Sequence, residues 1–154
     1  MLARLVRLFT RARRAQTAIG RLHAAILRAS AGRIRRSVVL GAGQPVLALT
    51  TTGRRSGEPR TTVIAHLPVG GGWAVFGMNL GSQRDPAWAL NLAARPEATI
   101  HVDGRDVPVR ARPVDGEEAA ELWRRYAERL PAAERFAAIA GRPIPAFVLD
   151  PTPG

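Results

Sequence analysis

The chain has 154 residues, 46% of them hydrophobic, which suits one domain with a real core and excludes wholesale disorder. There is no cysteine, so disulfides, thiolate metal sites and cysteine nucleophiles are excluded, and the three histidines, His23, His66 and His101, have no metal-ligand spacing. The net charge is +11 and every basic residue is an arginine; residues 1–57 hold 12 of them and no acid, while residues 58–154 are nearly neutral.

A basic arm on a neutral body reads as an attachment segment rather than a nucleic-acid-binding domain. Aromatic residues are only 5% of the chain, and no recognised nucleic-acid module is present, so nucleic acid is not the expected partner. We place the arm at residues 1–36 and the folded domain at 37–154. In the arm, Leu2, Leu5, Phe9 and Ala12 fall on one face of a helix over 2–14, and Arg4, Arg7, Arg11 and Arg14 on the other. Such a helix suits peripheral contact with an anionic membrane surface. It suits packing on the domain, or on a second subunit of a homodimer, equally well. No run of 18 apolar residues occurs, and the arginines interrupt any signal-peptide core. The expected location is cytoplasmic, with the inner membrane face as the site of any peripheral contact.

A second helical stretch covers about 21–29, with Leu22, Ile26 and Leu27. Strands are expected at Val46–Thr51, Thr61–Leu67, Trp73–Met78, Ala98–Val102, Val107–Ala111 and Ala146–Asp150. Asp85 and Pro86 read as an N-cap and first helical turn for a helix ending at Ala94 before Pro96. Asp115 and Glu118 have capping-box spacing ahead of a helix over Ala119–Leu130, and a shorter helix follows near Ala132–Ala140. Six short strands with late helices do not alternate as βαβ units, so the fold class is mainly β, an antiparallel barrel with peripheral helices.

Two constellations could carry chemistry. The first is the turn Gly53-Arg54-Arg55-Ser56-Gly57-Glu58-Pro59-Arg60, preceded by three threonines. Its guanidinium groups match phosphate or carboxylate oxygens in pairs, which makes it a candidate polyanion clamp; a basic, solvated hairpin is the plainer alternative. The second runs from Met78 to Trp88, where a strand end, a Gly/Ser turn and a helix N-terminus meet. Exposed N–H groups there suit a carbonyl-rich ring edge, whereas Trp88 and Leu92 at i, i+4 also read as plain core. His66 and His101 sit in strands with no nearby carboxylate motif and are read as structural. No Gly-x-Gly-x-x-Gly, nucleophile elbow or His-Glu-x-x-His is present, which leaves Rossmann binding, acyl transfer and metallohydrolysis without support.

Pro45 through Arg60, then Asp85-Pro86-Ala87-Trp88, Asn91 through Glu97, and Gly141-Arg142-Pro143-Ile144-Pro145 together resemble the deazaflavin-dependent nitroreductase family of actinobacteria. The likeness covers about residues 21–150. It implies a split β-barrel like that of FMN-binding oxidoreductases, holding coenzyme F420. It implies that Arg54, Arg55, Ser56 and Arg60 grip the anionic tail. The ring would be bordered by Thr61, Thr62, Val63, Ile64 and Ala65, by Phe76, Gly77, Met78 and Asn79, and by Ala87, Trp88, Ala89, Leu90 and Asn91. The family's nitroimidazole-activating member has lysine at Asn79 and tyrosine at Ala65, Leu130, Ala133 and Phe136, so this pocket is expected to be less polar. The implied activity is hydride transfer between reduced F420 and a small electron-poor acceptor such as a quinone, enone or nitro compound. An F420 carrier without turnover is the alternative, and no metal is expected.

Overall fold

The computed structural model describes residues 21–22, 24–26, 28–29 and 43–153; the helix expected at 2–14 lies outside them. The described residues of 21–29 are helical, and Ala24 packs against Val46 and Ala48. Seven strands follow: β1 Val46–Thr52, β2 Pro59–Ala65, β3 Leu67–Val69, β4 Gly72–Phe76, β5 Glu97–Val102, β6 Arg105–Val114 and β7 Ala146–Pro151. Among the described residues three further α-helices accompany them: α1 Ala87–Ala94, α2 Gly116–Arg129 and α3 Ala132–Ala140. The strands form one antiparallel sheet in the order β2-β1-β5-β6-β7-β4-β3.

The ends of that order are joined in sequence. One stretch of chain pairs with β1 before His66 and with β4 after it. The sheet therefore curls round on itself at His66, which makes it a split barrel. The expected strand Thr61–Leu67 is thus two strands. The second of them, Leu67–Val69, runs past the expected end, and its apolar run is too short, with a proline inside it, to read as a strand on its own.

Side chains alternate between the two faces of the sheet with the period of two that strands impose. Leu47, Leu49, Val75, Ile100, Val109, Phe147 and Leu149 point into the barrel with Trp88, Ala89 and Leu92 of α1. Phe76, Val114, Ala146 and Val148 point the other way, against Leu122 and Tyr126 of α2 and Ala133 of α3. With both faces covered, β1, β4 and β7 read as nearly unbroken apolar runs, whereas β6 alternates between buried and exposed residues. Each fully buried leucine or isoleucine contributes roughly 1.5–3 kcal/mol.

Both expected cap motifs are used differently. The N-cap of α1 is Pro86, without a side-chain cap, because the Asp85 carboxylate takes an Arg142 N–H at 2.6 Å. Asp115 is the N-cap of α2, but its side chain caps nothing, and Glu118 accepts two bonds from Arg112 at 3.0 Å. In each case a charge-assisted bond to arginine outcompetes a backbone N–H.

His66, at the barrel corner, is 6% exposed, and its Nδ1 has no hydrogen-bond partner. Burial lowers its pKa from 6.5 to about 4, with Asp103 opposing and Arg129 assisting. The folded chain thus keeps His66 neutral at pH values where the unfolded chain protonates it. Stability from this source is complete above pH 6.5, declines as the pH falls towards 4, and levels off below, a loss of roughly 3 kcal/mol. Urea unfolding at pH 7.5 and 4.5 should show His66→Leu losing much less stability than the parent. Equal losses in both proteins would refute this origin.

Candidate functional site

The β1–β2 hairpin carries the first constellation at its tip. Thr52 pairs with Pro59, and the six residues between them are closed by Gly53 N–H to Glu58 O (2.8 Å) and Gly57 N–H to Gly53 O (2.7 Å). Both glycines are required. A Cβ on Gly53 would lie 2.6 Å from Ser56 Oγ and 3.1 Å from Glu58 O, and Gly57 has φ +71°. Ser56 Oγ accepts the Glu58 N–H at 3.2 Å and lies 3.4 Å from an Arg60 Nη. Arg54, Arg55, Ser56 and Arg60 are all exposed, so the guanidinium groups are available to a ligand.

The tip is anchored from below. Arg54 N–H donates to Asn91 Oδ1 at 3.1 Å, and Asn91 Nδ2 donates to Thr51 Oγ1 at 3.0 Å. Asn91 is 3% exposed and Thr51 2%, so a buried amide ties the basic loop to α1. From Arg60, β2 runs along one edge of the sheet, with Thr61 to Ala65 half-buried. Five strand steps carry the chain about 17 Å, from the cationic tip to Ala65.

Ala65 packs against the cluster that contains Phe76, Leu130 and Ala133, as do Met78 and Trp123. The β2 end, the β4 end, α2 and α3 therefore converge on an apolar wall. Three of the four positions compared above with tyrosines, Ala65, Leu130 and Ala133, lie in it. Phe76 packs on Tyr126 at a tilt of 42° with ring centroids 4.7 Å apart, and burial raises the Tyr126 phenol to about 12, so it stays protonated. Trp88 and Ala89 turn into the barrel interior, whereas Ala87 is exposed and Leu90 half-buried. The structure thus joins Arg54 to Asn91 and gathers Ala65 with Phe76 and Met78, while Trp88 and Ala89 stand behind the surface.

The β4 strand ends at Phe76, two residues before Met78, because Gly77 N–H leaves the ladder for Pro145 O at 2.8 Å. Beyond it, Asn79 (φ 49°) and Leu80 (φ 52°) adopt the left-handed conformation. A leucine held there costs on the order of 1–3 kcal/mol, and such strain persists only where surroundings over-determine it. The surroundings are Arg142, whose side chain is 14% exposed and reaches Gly77 O at 2.9 Å, Ser82 O at 3.0 Å and Asp85 Oδ1 at 2.6 Å. Sequence reasoning gave Arg142 no role; its only signal was a place in the Gly141–Pro145 run.

His101 Nδ1 lies 2.7 Å from Asp106 Oδ1 across the β5–β6 pair, so a carboxylate does stand beside it; the strand register, invisible in sequence, brings it there. A groove of about 690 Å³ crosses β6 and β7 beside Leu92, Pro96 and Phe147, and none of the expected site residues lines it. Among the described residues no group of three His, Asp or Glu could hold a metal, and no helix is long and apolar enough to cross a membrane.

The family model for F420H(2)-dependent quinone reductase matches residues 19–151. The chain belongs to that family. An F420H(2)-dependent quinone reductase of Mycobacterium tuberculosis is 34% identical over 134 residues, spanning 84% of this chain and 87% of the relative. The solved structure of an F420-H2 dependent reductase, FDR-A, superposes with TM-score 0.64 at 27% identity, covering 72% of this chain and 96% of that one. A second solved chain, described as a domain-swapped dimer, has the same TM-score and identity over 69% of this chain and 80% of its own. As a member of the F420H(2)-dependent quinone reductase family, the protein is an oxidoreductase that uses coenzyme F420 for hydride transfer to a quinone-like acceptor.

Proposed function

We propose that Arg54, Arg55, Ser56 and Arg60 hold the phosphate and glutamate groups of the F420 tail. Thr61 to Ala65 then border the cofactor as it runs along β2, and the ring rests against Phe76 to Asn79 with Ala87 to Asn91 behind. The observation that carries this reading is the hydrogen-bonded line from Arg54 through Asn91 to Thr51, which fixes a cationic tip one strand length from an apolar wall. Bound F420 in its reduced form supplies the hydride. The chain's residues orient and shield. The guanidinium groups anchor the charged end, and Ala65, Met78, Leu130 and Ala133 keep water from the reacting face. The exposed rim at Asn79 and Leu80 admits the proton that balances the hydride.

The finer acceptor class is an electron-poor quinone, with enones and nitro compounds as weaker substrates, because this wall offers no hydroxyl to a nitro group at Ala65, Leu130 or Ala133. Mixing the protein with reduced F420 and a naphthoquinone, an enone or a nitroaromatic tests this. The fluorescence of oxidised F420 should return fastest with the quinone and scale with enzyme. No return with any acceptor would leave only cofactor carriage.

The protein's place is the cytoplasm, as a homodimer touching the inner membrane face through Arg4, Arg7, Arg11 and Arg14. The domain-swapped relative supports the dimer, and the acid-free arm supports the contact. Sedimentation with and without anionic vesicles should give a dimer that pellets with lipid; a monomer, or indifference to lipid charge, would refute the respective half.

A further inference from the structure

We infer that Arg142 is a positioning residue: its guanidinium holds the loop Gly77–Asp85 in the left-handed form that presents Met78 and Asn79 to the cofactor ring. The inference rests on the ring placement proposed above. Arg142 follows Gly141, the left-handed C-cap of α3, so the helix end aims it at the loop. One planar cation reaches both ends of that loop. Its Nη2 donates to Gly77 O at 2.9 Å and Arg84 O at 3.1 Å and lies 3.4 Å from Met78 O. Its Nε donates to Ser82 O at 3.0 Å, and its Nη1 to Asp85 Oδ1 at 2.6 Å and Pro143 O at 3.2 Å.

The loop's own bonds are short-range: Gly81 N–H to Met78 O, Ser82 N–H to Asn79 O, and Asn79 Nδ2 to Arg84 O. They shape the turn without tying it to the barrel. Beyond the Gly77 N–H to Pro145 O bond at the start of the loop and the packing of Gly81 against Ile139, Arg142 supplies that tie by drawing carbonyl groups inward from residues 77, 78, 82 and 84. The chain contains no lysine, so the presence of arginine here says little by itself. The geometry says more, because an ammonium group could keep the Asp85 ion pair but could not reach carbonyls spread over eight residues. Leu80, 80% exposed, and Asn79 remain outside, at the rim where a ring and its acceptor would meet.

The test compares the parent protein with Arg142→Lys by hydrogen exchange, F420 titration and turnover at saturating F420H2 and naphthoquinone. Faster exchange confined to residues 77–85 is expected, with F420 affinity little changed because the tail clamp is intact. The expected fall in kcat is roughly a hundredfold, as for misplacement of a reacting group by about 1 Å. A purely structural role would lower melting temperature without this split between kcat and affinity. Unchanged exchange would overturn the lock itself. Faster exchange with unchanged kcat would overturn the positioning role by showing that the ring lies elsewhere, and binding by Arg54→Ala would then report on the tail separately. Should the lysine variant not fold, Arg142→Ala with added methylguanidinium replaces it. Recovered turnover supports the inference, and a folded alanine variant without recovery overturns it.

Discussion

Replacing Arg54 and Arg60 together by alanine is expected to weaken F420 binding by roughly 10²- to 10⁴-fold. Each charge-assisted bond from a guanidinium to an anionic oxygen contributes about 1.5–3 kcal/mol, and every 1.4 kcal/mol is about tenfold in affinity. Both side chains are exposed at the hairpin tip, and neither belongs to the core. The melting temperature should therefore stay where it is while affinity collapses. The parent's affinity should also fall with added salt, and the double variant's much less, because screening acts on the contacts that were removed. Fluorescence titration at two salt concentrations measures both effects. Unchanged affinity would remove the clamp from the account.

Asn91→Leu should act in the opposite pattern, through the fold first. The substitution keeps the branched shape of the side chain, with bulkier methyl groups, but strands the Thr51 hydroxyl and the Arg54 N–H, which now bond to the amide at 3.0 and 3.1 Å. Buried groups left without partners cost about 1–3 kcal/mol each, so the total is roughly 2–6 kcal/mol. For a domain of this size that lowers the melting temperature by on the order of 10 °C. Affinity for F420 should fall as well, since the loop carrying Arg54 loses its anchor to α1. Calorimetry with a parallel titration separates this variant from the arginine pair. A variant as stable as the parent would mean that water replaces the amide and that the anchor is not structural.

The parts of this protein that were legible in sequence are those whose causes are local. Gly53 and Gly57 bracket a hairpin because only glycine fits there, and the unbroken apolar runs of β1 and β7 follow from having two covered faces. The basic turn was visible for the same reason, and the resemblance of its Thr-Gly-Arg-Arg-Ser-Gly run led to the family that the comparisons show. What was hidden depends on residues far apart. The β2–β3 break at His66 follows from barrel closure and leaves no local mark. The N-cap reading of Asp85 fails because Arg142, 57 residues later, takes the carboxylate. His101 meets Asp106 only through strand register, and nothing about Asn79-Leu80-Gly81 in isolation announces a left-handed turn.

The most direct measurement of the central claim is a crystal structure of the protein with F420 bound. The account predicts phosphate and glutamate oxygens within hydrogen-bonding distance of Arg54 and Arg60, and the ring packed between Ala65 and Met78. A tail lying in the groove across β6 and β7, with the hairpin arginines facing solvent, would contradict it.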